Sequence, residues 1–378
     1  MKDIVIAGYA RSPFHFATKG ALTKVRPDDL AAHVVKGLVE RTGVNPDDVE
    51  DLILGCAFPE GEQGFNMARL VGLMAGLPIS VAGTTVNRFC GSSMQAIHMA
   101  AGAIQMDAGD VFICAGVESM SRVPMSGFNP MPNPALIEHM PAAYMSMGET
   151  AENVGREYEI SREDQEVFAV ASQRKAGEAQ ANGRLSDEII PIEVNGNTID
   201  ADGCLRPTTD LEGLAGLKLA FDENGTVTAG TASPLTDGAA ATLVCSLEYA
   251  NANGLKPMAR IASIAVSGCK PETMGLGPIF SSRKALSRAG IGAQDLDVIE
   301  INEAFATQSI ASIRDLELDT AKVNIDGGAI AIGHPLGATG ARITGKAAQV
   351  LQREEGRYAL STQCIGGGQG IATVLEAA

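Results

Sequence analysis

Four short stretches of this sequence place a nucleophile, a base or an amide among glycines or at a strand end. Cys90 lies in NRFCGSSMQA, where a strand-like pattern gives way to a helix-like one. A thiol at a helix N-terminus feels the positive end of the macrodipole and is expected to lose part of its pKa. Gly91, Ser92 and Ser93 keep the approach to it uncluttered. An unpaired cysteine is more commonly a buried packing residue, and that reading stands beside the reactive one. His334 lies in NIDGGAIAIGHPLGATG, among five glycines. Pro335 biases it toward an extended conformation, and histidine is the natural partner for activating a thiol near neutral pH. The plainer alternative is a histidine closing a Gly-rich turn. Cys364 lies in STQCIGGGQG, where an apolar strand delivers a thiol into a glycine cluster. Backbone N–H groups in such a cluster can face an anion, although a tight turn beside a buried cysteine has the same pattern. Asn302 and Glu303, in EINEAFATQ, directly follow an apolar run. Polar groups at the carboxyl end of a strand commonly border the ligand crevice of an α/β sheet, and asparagine also suits a helix N-cap.

Two cysteines, a histidine and an asparagine in these contexts imply acyl transfer through a thioester. Thiolate attacks a thioester with little energetic bias in either direction. A Cys-His-Asn protease shares the residue types, but its signature around the cysteine is missing and the second cysteine would have no task. GGGQG lacks the dinucleotide G-x-G-x-x-G spacing, and GHPLGATG lacks the lysine of a P-loop. Cys56, Cys114, Cys204, Cys245 and Cys269 read as packing. No two of the seven cysteines stand at C-x-x-C spacing and there are only five histidines. That argues against structural zinc, a redox dithiol or a secreted disulfide scaffold.

The elements that must position these residues alternate along the chain. DIVIAGYA, VEDLILGCAF, TTVNRFC and VFICAGV read as strands. PDDLAAHVVKGLVERTG, NMARLVGLMAGL and GSSMQAIHMAAGAIQM read as helices between them. Leu30, Val34 and Leu38 share a helical face, Asp28 and Asp29 suit its start, and Gly43 suits a left-handed end. This order predicts an α/β layered fold around a buried sheet. From Ser119 the pattern breaks into a Pro- and Met-rich segment, followed by a helix whose Ser161 and Asp164 resemble a capping box. Residues 119–236 read as an insertion in a first half made of 1–118 and 237–256, with a second half at 257–378. The halves resemble each other. VEDLILGCAF (49–58) aligns with LDVIEINEAF (296–305), TVNRFCG (85–91) with KVNIDGG (322–328), and VFICAG (111–116) with YALSTQ (358–363). A site could form where the halves face each other.

Composition narrows the function further. With 29 basic against 45 acidic residues, the net charge of −16 repels nucleic acid and anionic membrane. At 378 residues the chain can bury roughly three quarters of its unfolded surface without a metal or disulfide. Trp is absent and aromatics make up only 4%, so the core must be aliphatic, with backbones closely packed at some of the 43 glycines. The N-terminal apolar stretch is too short for a signal peptide. Leu70–Asn87 carries no charge, but its proline, glycines and hydroxyls speak against a membrane span. A cytoplasmic protein is expected.

NRFCGSSMQA, EINEAFATQ, GGAIAIGHPLGATG and CIGGGQG, in that order, resemble the thiolase family. So do ARSPF, MGETAENVGREYEISREDQEVFAVASQ, GTVTAGTASPLTDGAAA, MGLGPI and SRKAL, so the resemblance covers nearly the whole chain. It implies two similar βαβαβαββ halves in five αβαβα layers, with 119–236 as a loop domain holding coenzyme A. It implies Cys90 as the acylated nucleophile, His334 as its activator and a donor to the thioester oxygen, and Cys364 as the acid/base at the α-carbon of acetyl-CoA. A thiol pKa tuned toward neutral would suit Cys364 for that task. Asn302 would hold a water in one oxyanion hole, and the backbone N–H groups of Cys90 and Gly366 would form the other. Arg206 and Ser233 would contact coenzyme A, and Met147, Ala304 and Phe305 would line the pantetheine or acyl end. Coenzyme A and acetyl-CoA enter as substrates, with no permanently bound cofactor and no metal. The activity implied is that of an acetyl-CoA C-acyltransferase or an acetyl-CoA C-acetyltransferase. The acetoacetyl-CoA branch usually has a histidine before the Met-Gly of the loop domain, where this chain has Ser146. That departure favours a degradative 3-ketoacyl-CoA thiolase. A non-catalytic acyl-CoA-binding relative would be expected to have lost Cys90, His334 or Cys364. A decarboxylating condensing enzyme would be expected to carry His at 364. A homo-oligomer is implied, a dimer rather than a tetramer, since the segment after Glu118 is short.

Overall fold

Apolar runs of Val, Ile, Leu and Ala build one large sheet, described by a computed structural model over residues 2–378. Its first part runs β1 (Ile4–Arg11), β2 (His15–Phe16), α1 (Pro27–Thr42), β3 (Asp51–Gly55), α2 (Met67–Met74), β4 (Ala82–Val86), α3 (Ser92–Gln105) and β5 (Val111–Ser119). A long excursion follows, with α4 (Pro134–His139), α5 (Met147–Glu157), α6 (Arg162–Ala181), a hairpin of β6 (Ile192–Val194) and β7 (Asn197–Ile199), and α7 (Leu211–Ala215). The chain returns to the sheet as β8 (Thr236–Ser246) and then forms α8 (Leu247–Ala252). The last part comprises β9 (Ala259–Gly268), α9 (Gly277–Ala289), β10 (Val298–Ile301), α10 (Ala306–Asp315), α11 (Ala329–Ile332), α12 (Leu336–Arg353), β11 (Tyr358–Ile365) and β12 (Gln369–Glu376).

The repeat seen in the sequence is a repeat of topology. Strand order is β4-β3-β5-β8-β1 on one side and β10-β11-β12-β9 on the other. The counterpart of β4 in the second half is a single bridge, Ile299 to Val323. The aligned segments fall on matching strands: β3 with β10, β4 with that bridge, and β5 with β11. The two halves meet edge to edge through only two register pairs, Val5 with Arg260 and Ile6 with Ala259.

The five layers follow from which faces are apolar. Helices α1 and α2 cover the first half's sheet, and α9 packs on the second half's. Between the two halves of the sheet run α3 and α12, which touch each other and strands of both halves. Helix α12 is buried along almost its whole length, as a helix in a middle layer must be. Its close crossing with α3 needs Gly340, since a Cβ there would stand 2.2 Å from the Met94 nitrogen. The local signals read from sequence also hold. Gly43 ends α1 at φ 69°, and Ser161 and Asp164 form a capping box on α6.

Buried ion pairs tie the excursion to both halves. Arg11 on β1 holds Glu188 and Asp202, each at 2.7 Å. Lys346 on α12 reaches Glu188 at 3.2 Å and Asp326 at 2.8 Å. Breaking one such pair leaves an uncompensated buried charge, a cost of about 3–5 kcal/mol.

Candidate active site

Strand ends and helix starts bring the four sequence motifs to one place. Cys90 follows β4 and immediately precedes Gly91, the N-cap of α3. His334 precedes Pro335, the N-cap of α12. The two middle-layer helices therefore aim their N-termini into the same region. Ser93 Oγ accepts from the Ala341 N–H at 2.8 Å and pins the helix starts together. Cys364 is near the end of β11, and Asn302 directly follows β10. Asn302 is not a helix N-cap, because α10 begins at Ala306 with Phe305 in the cap position.

A cavity of about 570 Å³ lies over these residues. Cys90, His334 and Cys364 line it, and so do Met147, Arg206, Ser233, Ala304 and Phe305. Asn302 is fully buried behind the wall, with its Nδ2 3.3 Å from His334 Nε2. The backbone N–H groups of Gly366 and of Cys90 itself face the Cys90 sulfur. Two apolar clusters meet across the cavity. One holds Cys90 with Ala57, Met120 and Leu336, and the other holds Cys364 with Met274, Ala304 and Phe305.

The hydrogen bonds around His334 select one tautomer. Its Nδ1 is 2.6 Å from Thr339 Oγ1, and that hydroxyl has the Pro335 carbonyl at 3.4 Å to receive its own proton. Nδ1–H therefore donates to Thr339, and Nε2 keeps its lone pair, facing Asn302 Nδ2; these proton positions are assigned from the network. The His334 backbone N–H donates to Thr236 Oγ1 at 3.0 Å. Sequence reasoning missed Thr236 and Thr339. Neither has a distinctive pattern, and only the fold brings Thr236, 98 residues away, to the histidine.

The electrostatics differ from the sequence expectation. The helix start was expected to lower the thiol pKa of Cys90, but burial pushes it up to about 12, against the two backbone N–H groups that favour the thiolate. Burial likewise raises Cys364 well above the ordinary thiol value, where a value tuned toward neutral was expected, and the Cys90 sulfur adds to the rise. Burial pushes His334 down to about 3, helped by Arg342. Burial thus favours neutral thiols and a neutral imidazole at the site.

The cavity wall also carries cations that the sequence did not single out as a group. Lys19 Nζ lies 4.5 Å and Arg206 Cζ 4.8 Å from the Phe16 ring centroid. Both side chains line the cavity and bring positive charge to it on a protein of net charge −16. Glu118 was also passed over, although it ends the apolar run of β5 just as Asn302 follows that of β10. The strand-end rule that pointed to Asn302 would have found it. Among the described residues no helix is long and apolar enough to cross a membrane.

Residues 4–248 match the model of the thiolase N-terminal domain, and residues 255–377 match that of the thiolase C-terminal domain. The chain is 47% identical to a 3-ketoacyl-CoA thiolase of Bacillus subtilis (strain 168), over all of both chains. It is 50% identical to one of Marinomonas sp. (strain MWYL1), over 99% of this chain and 98% of that one. The fold superposes on the crystal structure of human mitochondrial 3-ketoacyl-CoA thiolase in complex with CoA with a TM-score of 0.93 and 37% identity, covering 100% of this chain and 98% of that one. Two half-molecules with one strand order, two helix starts converging on a cysteine and a histidine, and matches along the whole length lead to one conclusion: this chain belongs to the thiolase family.

Proposed function

We propose that the chain catalyses the thiolytic cleavage of 3-ketoacyl-CoA by coenzyme A to acetyl-CoA and a shortened acyl-CoA, and its reverse. The observation that carries this reading is that Cys90, His334 and Cys364 line one cavity. In the cleavage direction Cys90 gives its proton to His334 Nε2 and attacks the 3-keto carbon. The bond between C2 and C3 breaks, and its electron pair leaves as the enolate of acetyl-CoA. The Cys364 thiol protonates the enolate carbon. The thiol of an incoming coenzyme A then gives its proton to the Cys364 thiolate and displaces the acyl group from Cys90, whose thiolate takes back the proton held by His334. The N–H groups of Cys90 and Gly366 stabilise the oxyanion on the acyl carbon. His334, with a water held by Asn302, stabilises the enolate oxygen. Removing one such donor typically costs a factor of about 10²–10³ in rate.

Residues 119–236 serve in this reading as the unit that holds coenzyme A. Arg206 and Lys19 meet its phosphates, Ser233 and Met147 flank the pantetheine, and Ala304 and Phe305 close on the acyl end. Ser146, on the cavity wall, caps α5 and bonds Glu149. A side chain that small leaves room for acyl chains longer than acetoacetyl. Each buried methylene adds about 0.8 kcal/mol, or roughly fourfold in binding. A series of 3-ketoacyl-CoA substrates from four to sixteen carbons tests this. kcat/KM should rise from the four-carbon substrate to six or eight carbons. Activity confined to four carbons would return the chain to the acetyl-CoA C-acetyltransferases.

The protein works as a homodimer in this proposal. Strand β4 is a sheet edge, and next to it Phe65 is 93% and Ile79 82% exposed. An apolar edge of this kind calls for a partner. Seven free cysteines suit a reducing cytoplasm.

A further inference from the structure

Glu118 is the next-to-last residue of β5, is 1% exposed, and does not line the cavity. Every polar group that touches its carboxylate is a donor. Oε2 accepts from Ala57 N at 2.8 Å and from Gly337 N at 2.9 Å. Oε1 accepts from Gln63 Nε2 at 2.8 Å, from Phe58 N at 3.2 Å, and from the Cys56 thiol at 3.7 Å. Such a shell is built for the ionised form, although burial holds this carboxyl above the ordinary value.

Ala57 lies in the segment after β3, which reaches the Cys90 loop through Asn87, and Gly337 is in the first turn of α12, three residues after His334. It can come this close because it has no side chain: a Cβ there would meet the Val117 carbonyl at 2.7 Å and Cys56 Cα at 2.8 Å. On the other side, the Ala57 carbonyl accepts from Asn87 Nδ2 at 3.0 Å. Asn87 Oδ1 accepts from the Phe89 N–H at 2.8 Å, and Phe89 is the residue before Cys90. A path of hydrogen bonds thus runs from the start of α12, just after His334, through one carboxylate oxygen and Ala57, to the loop that holds Cys90. The two ends come from opposite halves of the molecule.

We propose that Glu118 is a positioning residue that sets the separation of Cys90 and His334. This rests on the reading of Cys90 as nucleophile and His334 as its base. A shift of about 1 Å between reacting groups can cost a hundredfold in rate. Substrate-binding residues lie on other elements, so KM should be spared.

The test compares Glu118→Gln and Asn87→Ala with the unaltered protein. In each, kcat and KM are measured per Cys90 that accepts an acyl group, counted by mass spectrometry after incubation with acyl-CoA. The amide introduced by Glu118→Gln must turn its NH2 toward N–H donors, so one arm of the path is lost. Glu118→Gln should lose about a hundredfold in kcat per acylatable site, with KM within about threefold. Asn87→Ala, which cuts the path at an exposed residue, should lose about tenfold with KM likewise unmoved. A purely structural role would lower the number of acylatable sites and leave turnover per site unchanged, and that result overturns the proposal. So does a kcat loss matched by a rise in KM. If Glu118→Gln does not fold, Asn87→Ala decides, and wild-type turnover there overturns the proposal. Absence of acylation on Cys90 in the unaltered protein overturns the underlying reading instead.

Discussion

Burial favours the neutral form of each reacting group, pushing the Cys90 thiol up to about 12 and the His334 imidazole down to about 3. In the proposed mechanism attack and proton transfer to Nε2 are then coupled, and the helix starts and N–H groups act on charge that develops only during reaction. The two cysteines separate by what each must do. Cys364→Ala should still accept an acyl group on Cys90 from acyl-CoA, because His334 and the Gly366 N–H remain. It should fail to exchange the α-protons of acetyl-CoA with solvent deuterium. Exchange at the wild-type rate, followed by proton NMR, would show that Cys364 is not the carbon acid/base. Cys90→Ser should fold and show almost no turnover, since a hydroxyl ionises far less readily than a thiol.

At the scale of elements, the α3–α12 crossing governs both stability and the site, because each helix starts beside a reacting group. Gly340→Ala drives a methyl into the Met94 backbone, which cannot yield as a side-chain tip would. It should cost about 1–3 kcal/mol in denaturant unfolding and also lower kcat. A stability loss with kcat unchanged would show that helix separation is not transmitted to the site. Helix α3 also carries His98, buried against Thr373 of β12 at 2.8 Å and pushed down to about 3 by burial. His98 and His334 stay neutral in the folded protein, while the unfolded chain binds protons at both near pH 6.5. Their contribution to stability is therefore complete above 6.5 and is lost as pH falls toward 3. Each adds a slope of about 1.4 kcal/mol per pH unit in that window. His98→Asn should remove about one proton from the slope between pH 6 and pH 4 in urea titrations. An unchanged slope would place the acid sensitivity elsewhere.

For the whole molecule, the edge beside β4 is the surface that a partner copy would cover. Asn66 binds the Gly83 carbonyl and the Thr85 hydroxyl of this strand, which holds neighbouring Phe65 at the edge. If the chain forms the proposed homodimer through this edge, Phe65→Asp combined with Ile79→Asp should yield monomer in analytical ultracentrifugation, because each places a charge on the apolar surface to be covered. An unaltered sedimentation coefficient would move the interface to another face.

The sequence by itself determined the elements and the motifs. Alternating apolar runs and caps gave the strands and helices, and the internal repeat anticipated β3 opposite β10 and β5 opposite β11. Cys90, His334, Cys364 and Asn302 stood out because their neighbours are unusual for packing residues. Only the tertiary structure decided their charge state, because desolvation depends on what surrounds a group in space, and it outweighed the helix-start effect that local reading gave Cys90. It also decided the supporting cast. Thr236, Thr339 and Glu118 are ordinary residues in ordinary patterns, and what distinguishes them is a hydrogen bond to a residue that another element brings near.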